Sequence, residues 1–357
     1  MRILVWQWGR FGAGPRLGVD FAAGFSAVPG VTGLLSLSTA AEIMRLIPTP
    51  HCDLPVATYR GPFTYLARAA MAPAFVPGLA RQVRRLAPDF ALCAMPGPLD
   101  LAMHAALRRE GVPYAVVVHD ADTHPGDGYP LQMTLQRQLV RRANAVVVLS
   151  DHVQQRLAAQ GLAVGKPIIR SVLPQPAIGG LPPVRAHGGP FRLLSFGRLL
   201  AYKGLDLLAD ALGQVLPDAP MIVRVVGHGP EGAELAALRR LPGVTVENRW
   251  VPEAEIRELL AWADALVLSH REASQSGVAA AALAARRFLV ATRVGGLVEQ
   301  AEGDPAAVLC EVSAGSLAAA LRHVQTLPPP VGAVGTGVAQ AEALVGALAD
   351  VLVNRKG

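Results

Sequence analysis

Cysteine is scarce in this chain. Cys52, Cys93 and Cys310 are the three present, odd in number and far apart. Neither a disulfide framework nor a cysteine metal motif follows, and a reducing compartment is expected. Aromatic residues are only 5% of the sequence, and no run interleaves them with Lys or Arg. That argues against a surface that stacks single-stranded nucleic-acid bases. Charged residues are only 17%, against 52% hydrophobic, which excludes a disordered chain. Long unbroken apolar runs are also missing. The longest uncharged stretch, Phe21 to Ala41, is interrupted by Gly24, Pro29, Gly30 and Gly33, so it reads as helix, turn and strand, not a membrane span. Met1-Arg2-Ile3-Leu4-Val5 enters a strand at once and leaves no room for a signal peptide. The expected location is cytoplasmic, with the inner membrane face as a peripheral alternative. No G-x-x-x-x-G-K-[ST], G-x-S-x-G or H-E-x-x-H occurs, which argues against an ATPase, a serine hydrolase and a zinc protease.

What is present is an alternation of strand and helix over 357 residues, too many for one comfortable core. In the first half the apolar strand candidates are Ile3–Trp6, Val31–Leu37, Phe90–Ala94, Tyr114–Val118 and Ala145–Leu149. In the second they are Phe191–Phe196, Met221–Val226, Val244–Val246, Ala265–Leu268, Phe288–Ala291 and Ala307–Cys310. Continuous apolar runs of this length suit strands buried on both faces of a parallel sheet. Between the halves, nine of the 18 residues from Leu173 to Pro190 are Pro or Gly, the composition of a linker. The fold expected is α/β, two doubly wound, Rossmann-like parallel-sheet domains facing a cleft. Their boundaries are placed at 1–172, a linker 173–190, 191–337, and a last helix 338–357 able to pack back across the junction.

The net charge of +6 favours anionic partners. The strongest local signal is Gly197-Arg198…Lys203-Gly204, after a strand and before a helix. A glycine turn there offers backbone N–H groups to a phosphate, and Arg198 and Lys203 add two positive charges at the helix N-terminus. Two such cations alone would read as ordinary solvated residues; the strand-loop-helix setting favours an anion site. Gly227-His228-Gly229-Pro230-Glu231-Gly232 fits G-x-G-x-x-G, with Glu247 ending the next strand. Its spacing is short for a dinucleotide fingerprint, and a plain strand-to-helix turn is the commoner reading. Glu272, Ser274, Gln275, Ser276 and Gly277 open an alanine-rich helix with hydroxyl and N–H donors, and a serine N-cap explains part of that by itself. Val294-Gly295-Gly296 leads to Glu299 through another glycine turn. In the first half, His119, Asp120, Asp122 and His124 follow a strand. A metal set from His119, Asp120 and His124 is the minor alternative to a catalytic or loop network. Gly9-Arg10-Phe11-Gly12-Ala13-Gly14 turns out of the first strand, with a plain loop as its competitor.

Taken in order, GR…KG, G-x-G-P, E-x-x-Q-S-G and V-G-G-x-x-E resemble glycosyltransferase family 4, the group 1 glycosyltransferases, over roughly Phe191 to Glu299. The first half is similar more loosely, through the glycine turn and His119-Asp120. The resemblance implies a GT-B fold and transfer from a nucleotide-diphosphate sugar with retention of configuration, with no bound cofactor or metal. It implies that Arg198 and Lys203 hold the diphosphate and are catalytic, that Gly227 and Gly229 border the nucleoside, and that Gly197, Glu272, Gln275, Ser276, Gly277 and Glu299 complete the donor pocket. His119 and Asp120 take catalytic positions near sugar and acceptor, and Gly12 and Gly14 an acceptor-side loop. The acceptor implied is a glycan or lipid-linked molecule in polysaccharide assembly. Nucleic acid is not a partner. Arginines 81, 84, 85, 137, 141 and 142 offer contact with an anionic membrane.

The family's E-x7-E pattern is altered. Aligned on Val290-Ala291-Thr292, its second glutamate falls at Ala281 and its first at Ala273, one residue from Glu272. The chain instead resembles a subgroup with S/T-Q-S-G-V in this loop, to which His119-Asp120 with His124-Pro125 and Glu247-Asn248-Arg249-Trp250-Val251-Pro252 also conform. The usual Gly-Lys-Pro is replaced by Arg286-Arg287-Phe288. Ala281 keeps open a catalytically silent GT-B binding or scaffold protein, and the G-x-G-x-x-G turn an NAD(P) oxidoreductase.

Overall fold

The computed structural model describes residues 1–122, 132–330 and 337–356. These form two compact units.

The first unit contains β1 (Arg2–Gln7), α1 (Ala13–Ser26), β2 (Thr32–Leu37), α2 (Pro62–Ala70), α3 (Ala72–Leu86), β3 (Phe90–Cys93), α4 (Asp100–Arg109), β4 (Tyr114–Val118), α5 (Gln132–Arg142), β5 (Ala145–Val148), α6 (Asp151–Ala159) and β6 (Ile168–Arg170). All strands pair in parallel, in the order β2-β1-β3-β4-β5-β6. The sequence supports this directly: every residue of β3, β4 and β5 is buried, as an apolar run covered by helices on both faces must be. Trp6, Trp8, Met103, Leu107 and Val118 meet in its core.

The second unit contains β7 (Phe191–Phe196), α7 (Leu205–Val215), β8 (Met221–Gly227), α8 (Ala233–Arg239), β9 (Val244–Asn248), α9 (Glu253–Trp262), β10 (Ala265–Leu268), α10 (Gly277–Ala284), β11 (Phe288–Thr292), α11 (Gly296–Ala301), β12 (Ala307–Cys310) and α12 (Ala314–Val324). Its sheet is parallel, ordered β12-β11-β10-β7-β8-β9. Numbered within the unit and read from its β9 edge, that is 3-2-1-4-5-6, the Rossmann order. In α7, Leu205, Leu208, Leu212 and Val215 are buried as one stripe. Helix α10 is apolar all round and buried from Ala279 to Ala284, as expected of a helix with no solvent face.

Helix α13 (Val338–Lys356) belongs to the first unit, where it packs on α1. Leu344, Leu348 and Val351 are its buried residues, spaced to share one helical face. The Pro/Gly-rich segment has neither helix nor strand. From Gln175 onward it belongs to the second unit. The buried Asp264 carboxylate accepts the N–H groups of Arg185 and Arg192 at 2.7 and 2.9 Å and lies 3.0 Å from His187 Nε2. The buried Arg287 donates to the Pro182 carbonyl at 2.6 Å. No described helix is long and apolar enough to cross a membrane.

Candidate functional site

In a doubly wound sheet the strand order reverses at one point, and a crevice opens beyond the carboxyl ends of the two strands there. In the second unit those strands are β7 and β10. The loop after β7 carries Gly197, Arg198, Tyr202 and Lys203; the segment after β10 carries Ser269 and His270. The two are tied together by backbone. Arg271 N–H donates to the Tyr202 carbonyl at 2.8 Å, and Ser269 Oγ to the Lys203 carbonyl at 2.9 Å. Gly204 has φ 64°, and a Cβ there would stand 2.0 Å from the Ser269 carbonyl oxygen. Only glycine allows both the left-handed turn and that approach.

Lys203 Nζ lies 2.6 Å from His270 Nε2 and 4.9 Å from the centre of the Tyr202 ring. An ammonium has only donors, so the imidazole accepts at Nε2 and carries its hydrogen on Nδ1. Arg198 is exposed and donates from Nη2 to the Tyr202 hydroxyl at 3.4 Å. Two cations, a phenol and an imidazole are thus gathered at the crossover. His270 is 5% exposed and Thr292 Oγ1 holds its carbonyl at 2.6 Å, so the ammonium leans on a fixed partner.

The neighbouring glycines close the same end. A Cβ on Gly227 would fall 1.6 Å from the Gly197 carbonyl oxygen, so the turns after β7 and β8 touch backbone to backbone. Gly229 exchanges hydrogen bonds with the Asn248 side chain at 3.1 and 3.0 Å. The G-x-G-x-x-G turn follows the second strand of its unit, not the first, and Glu247 is gripped by Arg224 at 2.6 Å and Arg249 at 2.8 Å. A dinucleotide ribose would have to compete with two guanidiniums for that carboxylate.

The phosphate-loop residues lie at the N-terminus of α10. Ser276 is its N-cap and accepts the Ala279 N–H on Oγ. The Ser276 N–H donates to Gln300 Oε1 at 2.7 Å. Ser274, Gln275 and Ser276 are buried, Glu272 and Gly277 exposed. Val278 on this helix comes within 3.7 Å of the place a Cβ on Gly197 would occupy, which brings the α10 N-terminus beside the β7 loop. Glu299 is exposed on α11. Ala281, where the family pattern has its second glutamate, is 7% exposed and packed in an apolar cluster.

In the first unit, His119 and Asp120 follow β4, with His119 Nδ1 and Asp120 Oδ2 3.2 Å apart. The Asp120 carbonyl accepts from Gln136 at 2.8 Å. Asp122 is bridged to Arg156 at 2.7 Å. His124 and Pro125 lie outside the described residues. Gly12 is the N-cap of α1, and Gly14 sits in its first turn against the buried Gln7 amide. Both segments stand at carboxyl ends of strands, β1 and β4, with β3 between. After β3, Asp100 is 2% exposed and accepts the Gly97 N–H at 2.7 Å and the Cys93 thiol at 3.3 Å. Burial pushes its carboxyl up to about 7, against the pull of those two donors. Sequence reading did not single out Asp100, Tyr202, His270 or Gln300. The one available signal was the polar pair Ser269-His270 directly after an apolar strand.

The family model described as "Glycosyl transferases group 1" matches residues 190–326, and one described as "Glycosyl transferase 4-like domain" matches residues 38–169. One falls on each unit, and together they cover most of the chain. The chain carries a group 1 glycosyltransferase domain and a glycosyltransferase 4-like domain. No curated protein matches it. Among solved structures, this glycosyltransferase is similar to Anabaena Alr3699/HepE, determined in complex with UDP-glucose. The identity is 18%, the TM-score 0.65, and the match covers 100% of this chain and 99% of that one. A glycosyltransferase from Rickettsia africae ESF-5 is 14% identical, with a TM-score of 0.62 and coverage of 99% and 93%. A UDP-GlcNAc 2-epimerase from Neisseria meningitidis bound to UDP-GlcNAc is 9% identical, with a TM-score of 0.57 and coverage of 98% and 100%. These likenesses establish the GT-B fold, two Rossmann-like parallel-sheet domains. Because an epimerase shares it, fold alone does not specify transfer.

Proposed function

We propose that the chain transfers a sugar from a nucleotide-diphosphate sugar to a glycan or lipid-linked acceptor, with retention of configuration, in polysaccharide assembly. The single observation that carries this reading is the cluster of Arg198, Tyr202, Lys203 and His270 at the β7–β10 crossover. As the bond from the anomeric carbon to the diphosphate breaks, negative charge grows on the leaving group. Fixed cations already aimed at that charge stabilise the transition state without reorganising. In this reading Arg198 and Lys203 face the diphosphate, and the N-terminus of α10 lends its N–H groups and dipole. Gly197, Gly227 and Gly229 admit the nucleotide close to the backbone. Gln275 and Ser276 shape the phosphate loop, and Glu272 and Glu299 meet the donor's hydroxyls. His119 and Asp120 orient donor sugar and acceptor, with Gly12 and Gly14 on the acceptor side. No metal or other cofactor enters the scheme. The solved structure with UDP-glucose supports a donor of this class, and a lipid-linked acceptor would bring the reaction beside an anionic membrane.

The test is calorimetric titration with UDP-, GDP- and ADP-sugars, followed by assay of slow donor hydrolysis. Binding and hydrolysis that both disappear in Arg198→Ala/Lys203→Ala support the reading. Titrations with no heat for any nucleotide sugar reject it. A second reading rests on Ala281, buried among apolar residues where the family pattern carries a glutamate. A silent nucleotide-binding protein would bind the sugar nucleotide and leave it intact over long incubation; any hydrolysis lost in the double variant disposes of that alternative.

A further inference from the structure

Helix α2 is built inside out for a surface helix. It contains no buried residue. Tyr65 and Arg68, which are half-buried, make its inward contacts. Tyr65 packs on the core of the first unit and edge-on to Tyr59 at 5.7 Å. Arg68 donates to the Ala57 carbonyl at 2.8 Å and lies over the Phe75 ring. Its outward face is apolar. Phe63 is 88% exposed and Leu66 63%, with Met71 just beyond the helix at 54%. Phe63, Leu66, Ala67 and Ala70 fall at i, i+3, i+4 and i+7, a single stripe. A soluble helix turns such a stripe toward the core; here the solvent has it. From the inner side of the helix, a chain of rings leads through Tyr59 to a second exposed aromatic. Arg10 sits over both the Tyr59 and Phe11 rings, at 5.3 and 4.9 Å, and Phe11 is 53% exposed.

Along the chain, the charge flanking α2 has one sign. From Leu54 to Pro88 the chain carries five arginines and no acidic residue. Arg60 precedes α2, Arg68 lies on it, and Arg10 reaches it through Tyr59. An apolar stripe rimmed by arginines is complementary to a bilayer whose headgroups are negative and whose acyl region begins a few ångströms below them. A purely apolar partner would leave the cations unanswered, and nucleic acid would leave the stripe exposed.

We propose that α2, with Phe11 and Met71 at its margins, is the surface by which this protein lies on an anionic lipid bilayer, Phe63 and Leu66 entering the interface and Arg10 and Arg60 meeting the headgroups. The inference rests on the proposed function only for the lipid-linked acceptor such a surface would serve; binding to vesicles is read without turnover. The experiment is flotation of the full chain with phosphatidylcholine vesicles, with and without phosphatidylglycerol, at low and high salt, for wild type, Phe63→Ser/Leu66→Ser and Arg60→Gln. The altered side chains are exposed, so melting temperature and nucleotide affinity should match wild type. The expected result is flotation that requires phosphatidylglycerol, weakens with salt and in Arg60→Gln, and falls by about ten-fold or more in the double variant. No flotation of the wild type overturns the proposal, as does equal flotation of wild type and double variant or indifference to phosphatidylglycerol. Sedimentation that shows a wild-type dimer dissociating in the double variant assigns the patch to a second copy and equally overturns it. Lost flotation with intact nucleotide binding tells failure of this surface apart from failure of the donor site.

Discussion

At the scale of single residues, the crossover cluster makes Lys203 the most informative position. Its ammonium lies 2.6 Å from Nε2 of the buried His270 imidazole, which fixes where the charge stands. Lys203→Ala should weaken nucleotide-diphosphate binding by about 1.5–3 kcal/mol, the worth of one charge-assisted hydrogen bond. Calorimetry checks it, and unchanged affinity would remove Lys203 from the phosphate site. Asp100 gives a pH prediction. Its carboxyl is raised from 3.8 to about 7 by burial, so the folded state keeps a proton that the unfolded chain gives up. The stability from this group is full below about pH 4, declines as pH rises, and is lost above about pH 7. Asp100→Asn keeps a carbonyl to accept the Gly97 N–H, and nothing on it ionises. The gap between variant and wild-type melting temperatures should move in the variant's favour as pH rises to about 7, then stay level. A gap constant with pH would show that Asp100 does not titrate in that range. Arg198 and Lys203 were legible in the sequence because glycines fix them between a strand and a helix. His270 was not, because its meaning depends on Lys203, 67 positions earlier, and a single histidine after a strand says nothing about what folds onto it.

At the scale of elements, the sheets were legible and some connections were not. Runs such as Tyr114–Val118 and Ala265–Leu268 are strands because their neighbours bury both faces, and their apolar composition states this locally. Strand β6 escaped notice because only Ile169 of its three residues is buried. Helix α2 was not singled out although Phe63, Leu66, Ala67 and Ala70 repeat at helical spacing, and the sequence does not show that such a stripe faces solvent. Two elements invite tests. Gly204→Ala places a methyl 2.0 Å from a backbone oxygen at φ 64°. The turn must move, at a cost of about 1–3 kcal/mol by denaturant unfolding, and Lys203 must move with it. Ser276→Ala removes the N-cap of α10 and should cost about 1 kcal/mol. A larger loss of nucleotide affinity than of stability would tie this cap to ligand binding as well as to the helix.

At the scale of the whole molecule, a ligand that binds only the folded state raises the melting temperature by mass action. A thermal-shift series over UDP, GDP, ADP and their sugars should therefore single out the base before any acceptor is known. If no nucleotide shifts the transition, the donor site is misassigned.

Helix α13 closes the first unit although it follows the whole second unit in the sequence. Its buried Leu348 should cost about 2–5 kcal/mol when cut to alanine, and hydrogen exchange should show the loss in α1 more than in the second unit. On the ribosome, α1 emerges more than three hundred residues before the helix that covers it. The first-born half must wait, partly unclothed, while the second half is synthesised and folds ahead of it. Chaperone dependence during translation and sensitivity to proteolysis at the tail are where that inverted order will be felt.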